Sequence, residues 1–156
     1  MNEKIVSDKY VSIEKLKYRT DKLAYSLAIL GLFINVLYFT TLYINNDNFY
    51  YSWKMGISVV YNLVFMLLVF LFAEEVKHYH RNYAVFLIII GLLQIVRIFI
   101  YPKQGLVAGS LSQNSYKILC VYLLVSGTLL ICSGICSWIK STILIKFVKN
   151  KKLEKL

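Results

Sequence analysis

The sequence holds one proline, Pro102, and seven glycines in 156 residues, and its three cysteines are too few for a disulfide-stapled domain. Charged residues make up 17% of the chain and hydrophobic ones 58%, which excludes a disordered polypeptide. All eight acids (Glu3, Asp8, Glu14, Asp21, Asp47, Glu74, Glu75, Glu154) fall outside the long apolar runs. Proton-coupled carriers place a titrating carboxylate inside the membrane, so this distribution argues against a small four-span efflux carrier. Helices broken at mid-membrane, a transporter signature, need glycine or proline interruptions that these spans mostly lack. No P-loop, dinucleotide fingerprint, nucleophile elbow or kinase signature occurs, and Gly105 with Gly109 is too sparse to suggest phosphate binding.

What the chain does hold is four apolar runs, 23–44, 55–73, 83–100 and 118–139, each about as long as a helix needs to cross a bilayer core. Residues 85–93 read VFLIIIGLL without polar alternation, which excludes strands of a membrane barrel. The expected fold is an all-α integral membrane protein, an antiparallel bundle of four transmembrane helices. Residues 1–22 form a juxtamembrane segment and residues 140–156 a basic tail. No segment outside the spans reaches the roughly 40 residues that an independent domain needs.

Orientation is read from lysine and arginine, which are retained on the cytoplasmic side. Six precede the first span (Lys4, Lys9, Lys15, Lys17, Arg19, Lys22), two sit in the second loop (Lys77, Arg81), and six follow the fourth span (Lys140, Lys146, Lys149, Lys151, Lys152, Lys155). The first and third loops hold Lys54, Lys103 and Lys117 alone. Both termini are therefore expected in the cytoplasm and the protein in the plasma membrane as a multi-pass species. The charged start lacks a cleavable signal, so the first span is expected to direct insertion. Tyr43, Phe49, Tyr50, Tyr51 and Trp53 form an expected interfacial belt. The net charge of +10 restates this bias and places the basic ends near anionic headgroups; nucleic acid is not an expected partner.

Helices in lipid associate through small residues and interhelical hydrogen bonds. Ala24, Ala28, Gly31 and Asn35 fall on one face of span one, Ala84, Gly91 and Gln94 on span three, and Ser126, Gly127, Ser133, Gly134 and Ser137 on span four. At 1.5 Å per residue, Asn35, Asn62, Gln94 and Arg97 all fall in the outer half of the bilayer. They are expected to form a bonded cluster inside the bundle, with a polar substrate cavity as the alternative. Arg97, close to the span end that Pro102 is expected to impose, is expected to snorkel to the interface. Facing inward, it would need a carboxylate or carbonyl on another protein, since every acid lies outside the spans.

Cys132 and Cys136 have a C-x-x-x-C spacing deep in an apolar span, which suits packed thiols better than a redox pair. His78 and His80 lie in the charged turn formed by Glu74, Glu75, Val76, Lys77, His78, Tyr79, His80 and Arg81. That turn lacks the three or four converging ligands of a metal site, and no cofactor is expected. Glu74, Glu75, His78, His80 and Arg81 are instead candidates for docking a cytoplasmic partner, and the loop 101–117 for outward recognition. Segment 141–148 is apolar enough to prolong span four or lie in the interface. The expected function is a non-enzymatic accessory or scaffold subunit of a larger complex in a prokaryotic cytoplasmic membrane, foremost a transporter. Its partners would be membrane lipids and another integral membrane subunit. The alternatives are a homo-oligomeric pore or holin-like protein and, third, a small lipid- or quinone-linked enzyme.

Overall fold

The computed structural model describes residues 20–44, 53–107, 109 and 111–153. Four helices account for nearly all of them: α1 (Lys22–Ile44), α2 (Trp53–Lys77), α3 (Arg81–Val107) and α4 (Gln113–Leu153), with no strand among the described residues. All four are long and apolar enough to cross a membrane, over Lys22–Ile44, Gly56–Lys77, Arg81–Val107 and Gln113–Lys146. The expected belt residues Phe49, Tyr50 and Tyr51 and the segment 1–19 lie outside the described residues.

Local chemistry sets the helix ends. Asp21 starts α1, its carboxylate accepting from the Ala24 N–H at 3.3 Å, and Ser112 starts α4 by accepting from the Ser115 N–H at 3.2 Å. After α2 the chain turns at Tyr79 with φ of 62°, and its N–H donates back to the Val76 carbonyl at 3.0 Å. After α3 it turns at Gly109 with φ of 70°, where the missing Cβ removes the steric cost. Two expectations need correction here. Pro102 does not end α3, which runs on to Val107 with Pro102 buried inside it; a proline costs its own N–H bond, and here the ring packs into the core. The connector between α3 and α4 is correspondingly shorter than the expected loop 101–117, and Leu106 belongs to α3 while Leu111 is buried beside Leu119 and Leu123. Of the two alternatives for segment 141–148, the structure shows the first: it prolongs α4 as helix.

α4 packs most extensively against α3 and next against α1, while α2 closes the ring between α1 and α3. Buried positions recur at alternating steps of four and three: 24, 28, 31, 35, 38 and 42 on α1, and 119, 123, 126, 130, 133 and 137 on α4. That 3.5-residue spacing is the knobs-into-holes repeat of helices supercoiled on one another. Two apolar clusters result, one around Ala28, Val69, Leu87 and Leu130, the other around Tyr38, Leu42, Ile98, Leu119 and Leu123.

The α3–α4 seam is the tightest. A Cβ on Gly91 would lie 2.9 Å from the Gly127 carbonyl oxygen, and one on Gly134 would lie 2.7 Å from that of Ala84. Isoleucines fill the notches beside them: Ile131 over Gly91, Ile95 over Gly127 and Ile88 over Gly134. Along α1 the contact is polar, Ser126 and Ser133 donating to the Gly31 and Ala24 carbonyls at 2.8 and 2.6 Å. Every residue of the small-residue faces named above (Ala24, Ala28, Gly31, Ala84, Gly91, Ser126, Gly127, Ser133, Gly134) is buried at these contacts.

Candidate functional site

α1 to α3 meet around a buried polar group. α1 brings Asn35 and Tyr38, α2 brings Ser58, Tyr61 and Asn62, and α3 brings Gln94 and Arg97. Asn35, Ser58, Asn62 and Gln94 are wholly buried, and Arg97 is 2% exposed. The spacing that puts them together is helical: Asn35 and Tyr38 are three apart, Ser58 and Asn62 four, Gln94 and Arg97 three, so each helix turns two polar positions toward the same depth.

The bonds run through the group in two branches. Arg97 Nη1 donates to Asn62 Oδ1 at 2.8 Å, and Asn62 Nδ2 donates in turn to the Ser58 carbonyl at 2.8 Å. The guanidinium also makes cation–π contacts with two phenol rings, 4.9 Å from the centre of that of Tyr38 and 4.8 Å from that of Tyr61. Gln94 Nε2 donates to Asn35 Oδ1 across the bundle. Asn35 Nδ2, Gln94 Oε1 and the Ser58 hydroxyl are buried with no hydrogen-bond partner among the described residues. Beside the group, α4 supplies Leu119 and Leu123 to the apolar cluster that includes Tyr38 and Leu42.

Arg97 thus departs from both expectations for it. It does not snorkel, and the groups that engage it, Asn62, Tyr38 and Tyr61, belong to its own chain. Depth along one helix fixes how far a side chain lies from the interface but not the direction in which it points, and α3 turns this position inward. Tyr38, Ser58 and Tyr61 were not singled out in the sequence; the signal available was their spacing of three or four from Asn35, Asn62 and Phe65.

A second polar constellation lies at the opposite end. The Asp21 carboxylate is 1% exposed and accepts from Lys140 Nζ at 2.6 Å, while the Asp21 N–H donates to the Lys77 carbonyl at 3.1 Å. The Ser141 hydroxyl donates to the Tyr79 carbonyl at 2.7 Å, and the Arg81 guanidinium stands 5.6 Å from the Trp138 ring. These contacts tie the start of α1, the α2–α3 turn and the middle of α4 into one joint. The five candidate docking residues sit on it: Glu74 pairs with Lys77 at 3.2 Å, Glu75 lies 3.8 Å from His80, and His78, His80 and Arg81 are exposed. Such exposed pairs add little to stability and leave the side chains accessible.

Cys120, Cys132 and Cys136 are all reduced. Among the described residues no three metal-ligating side chains converge. The buried group itself consists of amides, hydroxyls, phenols and one guanidinium, side chains suited to hydrogen bonding and to holding helices in register. No protein-family model, curated protein or solved structure matches this chain, so its geometry and its sequence carry the functional argument.

Proposed function

We propose that this protein is a non-enzymatic accessory or scaffold subunit of a larger cytoplasmic-membrane complex of the transporter kind. In this reading the four helices form an antiparallel transmembrane bundle with both termini in the cytoplasm. The observation that carries it is the inward, mutual bonding of the polar side chains: Arg97 to Asn62, Gln94 to Asn35, and Ser126 and Ser133 to carbonyls of α1. Polar groups used in this way brace helices against each other, whereas a substrate path keeps its polar groups turned toward a passage.

The pairing of low numbers on one helix with high numbers on the next, Ala24 with Ser133 and Gly31 with Ser126, supports the antiparallel arrangement. The outer faces are apolar on every helix, with Phe33, Leu67, Phe70, Leu92, Val121 and Ile135 exposed, which suits lipid and a neighbouring membrane subunit alike. The test is affinity purification from native membranes in a mild detergent, followed by mass spectrometry. A membrane subunit recovered in stoichiometric amount supports the reading. Recovery as a lone homo-oligomer overturns it and favours a pore, which conductance in planar bilayers would then reveal.

A further inference from the structure

The length of α4 is out of proportion to the bundle. Its 41 residues span about 60 Å, twice a bilayer core, while α1 to α3 have 23, 25 and 27. Among the described side chains of α4, Ser141 is the last buried one; beyond it Thr142 and Leu144 are half-buried and Ile143, Ile145, Lys146 and Asn150 are exposed. With Trp138 taken as the hydrocarbon edge, residues 118–138 cover a core of about 30 Å, and the headgroup layer adds about 6 Å. Ile145 then stands about 10 Å beyond the edge and position 152 about 21 Å, outside the headgroups.

Three occupants could cover such a helix, and the chemistry separates them. For the segment to lie on the bilayer it would have to bend sharply near Ser141, and such kinks arise at proline, glycine or π-bulges. No glycine or proline follows Gly134, and α4 is continuous to Leu153. A second copy packed in parallel would bring lysine against lysine, since 141–153 contains Lys146, Lys149, Lys151 and Lys152 and no acid. The remaining occupant has the opposite charge together with apolar side chains to cover Ile143 and Ile145.

We propose that residues 143–153 of α4 are a docking helix for an acidic, partly apolar segment of a partner protein on the cytoplasmic side. This deepens the scaffold reading and rests on it, because it names the surface through which the subunit would hold its complex. The same face of the molecule carries the accessible His78, His80 and Arg81.

The test places a photo-crosslinking amino acid at Ile145 of the full chain in native membranes, with Leu124 on the apolar flank of α4 as control. The expected result is a protein adduct at position 145 that maps to a peptide rich in Asp and Glu. It should fall at least tenfold when Lys146, Lys149, Lys151 and Lys152 are all replaced by Glu, and return when they are replaced by Arg. Adducts to lipid or to a second copy, no adduct, or an adduct indifferent to the Glu replacements would overturn the proposal. Affinity purification of the Glu-replaced chain separates the two readings. A stoichiometric partner still bound to it keeps the scaffold and removes the docking helix; no partner on either chain removes both.

Discussion

Asn62 does two things at once, accepting from Arg97 and donating to the Ser58 carbonyl, so its loss would remove a hydrogen bond from the buried guanidinium. Asn62→Leu is expected to cost about 1.5–3 kcal/mol, the range for a hydrogen bond to a charged group, measured by reversible unfolding in bicelles. A cost equal to that of an exposed control such as Leu67→Ala would show that Arg97 does not depend on it. Asn35 and Gln94 make a different prediction. Either single change to leucine strands the other amide, whereas the double change removes both, so a double-mutant cycle should give a coupling of about 0.6 kcal/mol and up to about 1.7. At the other end Asp21→Ala removes a helix cap and the Lys140 contact together, costing about 1 kcal/mol for the cap alone, while Asp21→Asn keeps the cap and should cost less. Asn35, Asn62, Gln94 and Arg97 were legible in the sequence as polar residues within the same half of the expected spans. The inward turn of Arg97 was not, because it depends on which neighbours surround α3.

Among the elements, the α3–α4 seam makes the sharpest demands. A methyl group at Gly134 meets the backbone oxygen of Ala84 at 2.7 Å, whereas one at Gly31 meets the Leu130 side chain and the Ser126 oxygen at 3.3 Å. Gly134→Ala should therefore destabilise by about 1–3 kcal/mol and Gly31→Ala by less. Trimming Ile88 to Ala should not rescue Gly134→Ala, because the backbone contact remains. Gly56, with open space around its Cα, offers the converse: Gly56→Ala should stabilise α2 by about 0.5–1 kcal/mol. A thermal-shift series across these variants checks the order, and equal shifts at Gly31 and Gly134 would contradict the close approach. The seams were legible as small residues at helical spacing, since in lipid only such residues let backbones touch. Their pairing was not, nor were the isoleucines that fill the notches, because Ile88, Ile95 and Ile131 resemble every other apolar residue of their spans. The end of α3 was misread at Pro102 because a proline's local cost says nothing of the packing that offsets it.

For the whole molecule, the topology can be read chemically. With the three native cysteines replaced by alanine, single cysteines at Gly109 and at Tyr79 should react with a membrane-impermeant maleimide from opposite sides, position 109 from outside intact cells. Labelling of both from one side would contradict the antiparallel reading. Composition and the placement of charge already determined the number of long apolar helices and the expected sidedness, though not where α3 and α4 end, because transfer of apolar runs into lipid and retention of lysine and arginine depend on residues singly or in short windows. Tertiary structure decided what depends on pairs far apart in the chain: that Asp21 meets Lys140, that Ser133 meets Ala24, and that Arg97 meets Tyr38, Tyr61 and Asn62. In these spans nearly every side of each helix is apolar, so hydrophobic contrast does not mark the inward face. Only the fit of small, polar and bulky side chains across the interfaces sets the rotation of each helix, and that fit exists once all four are assembled.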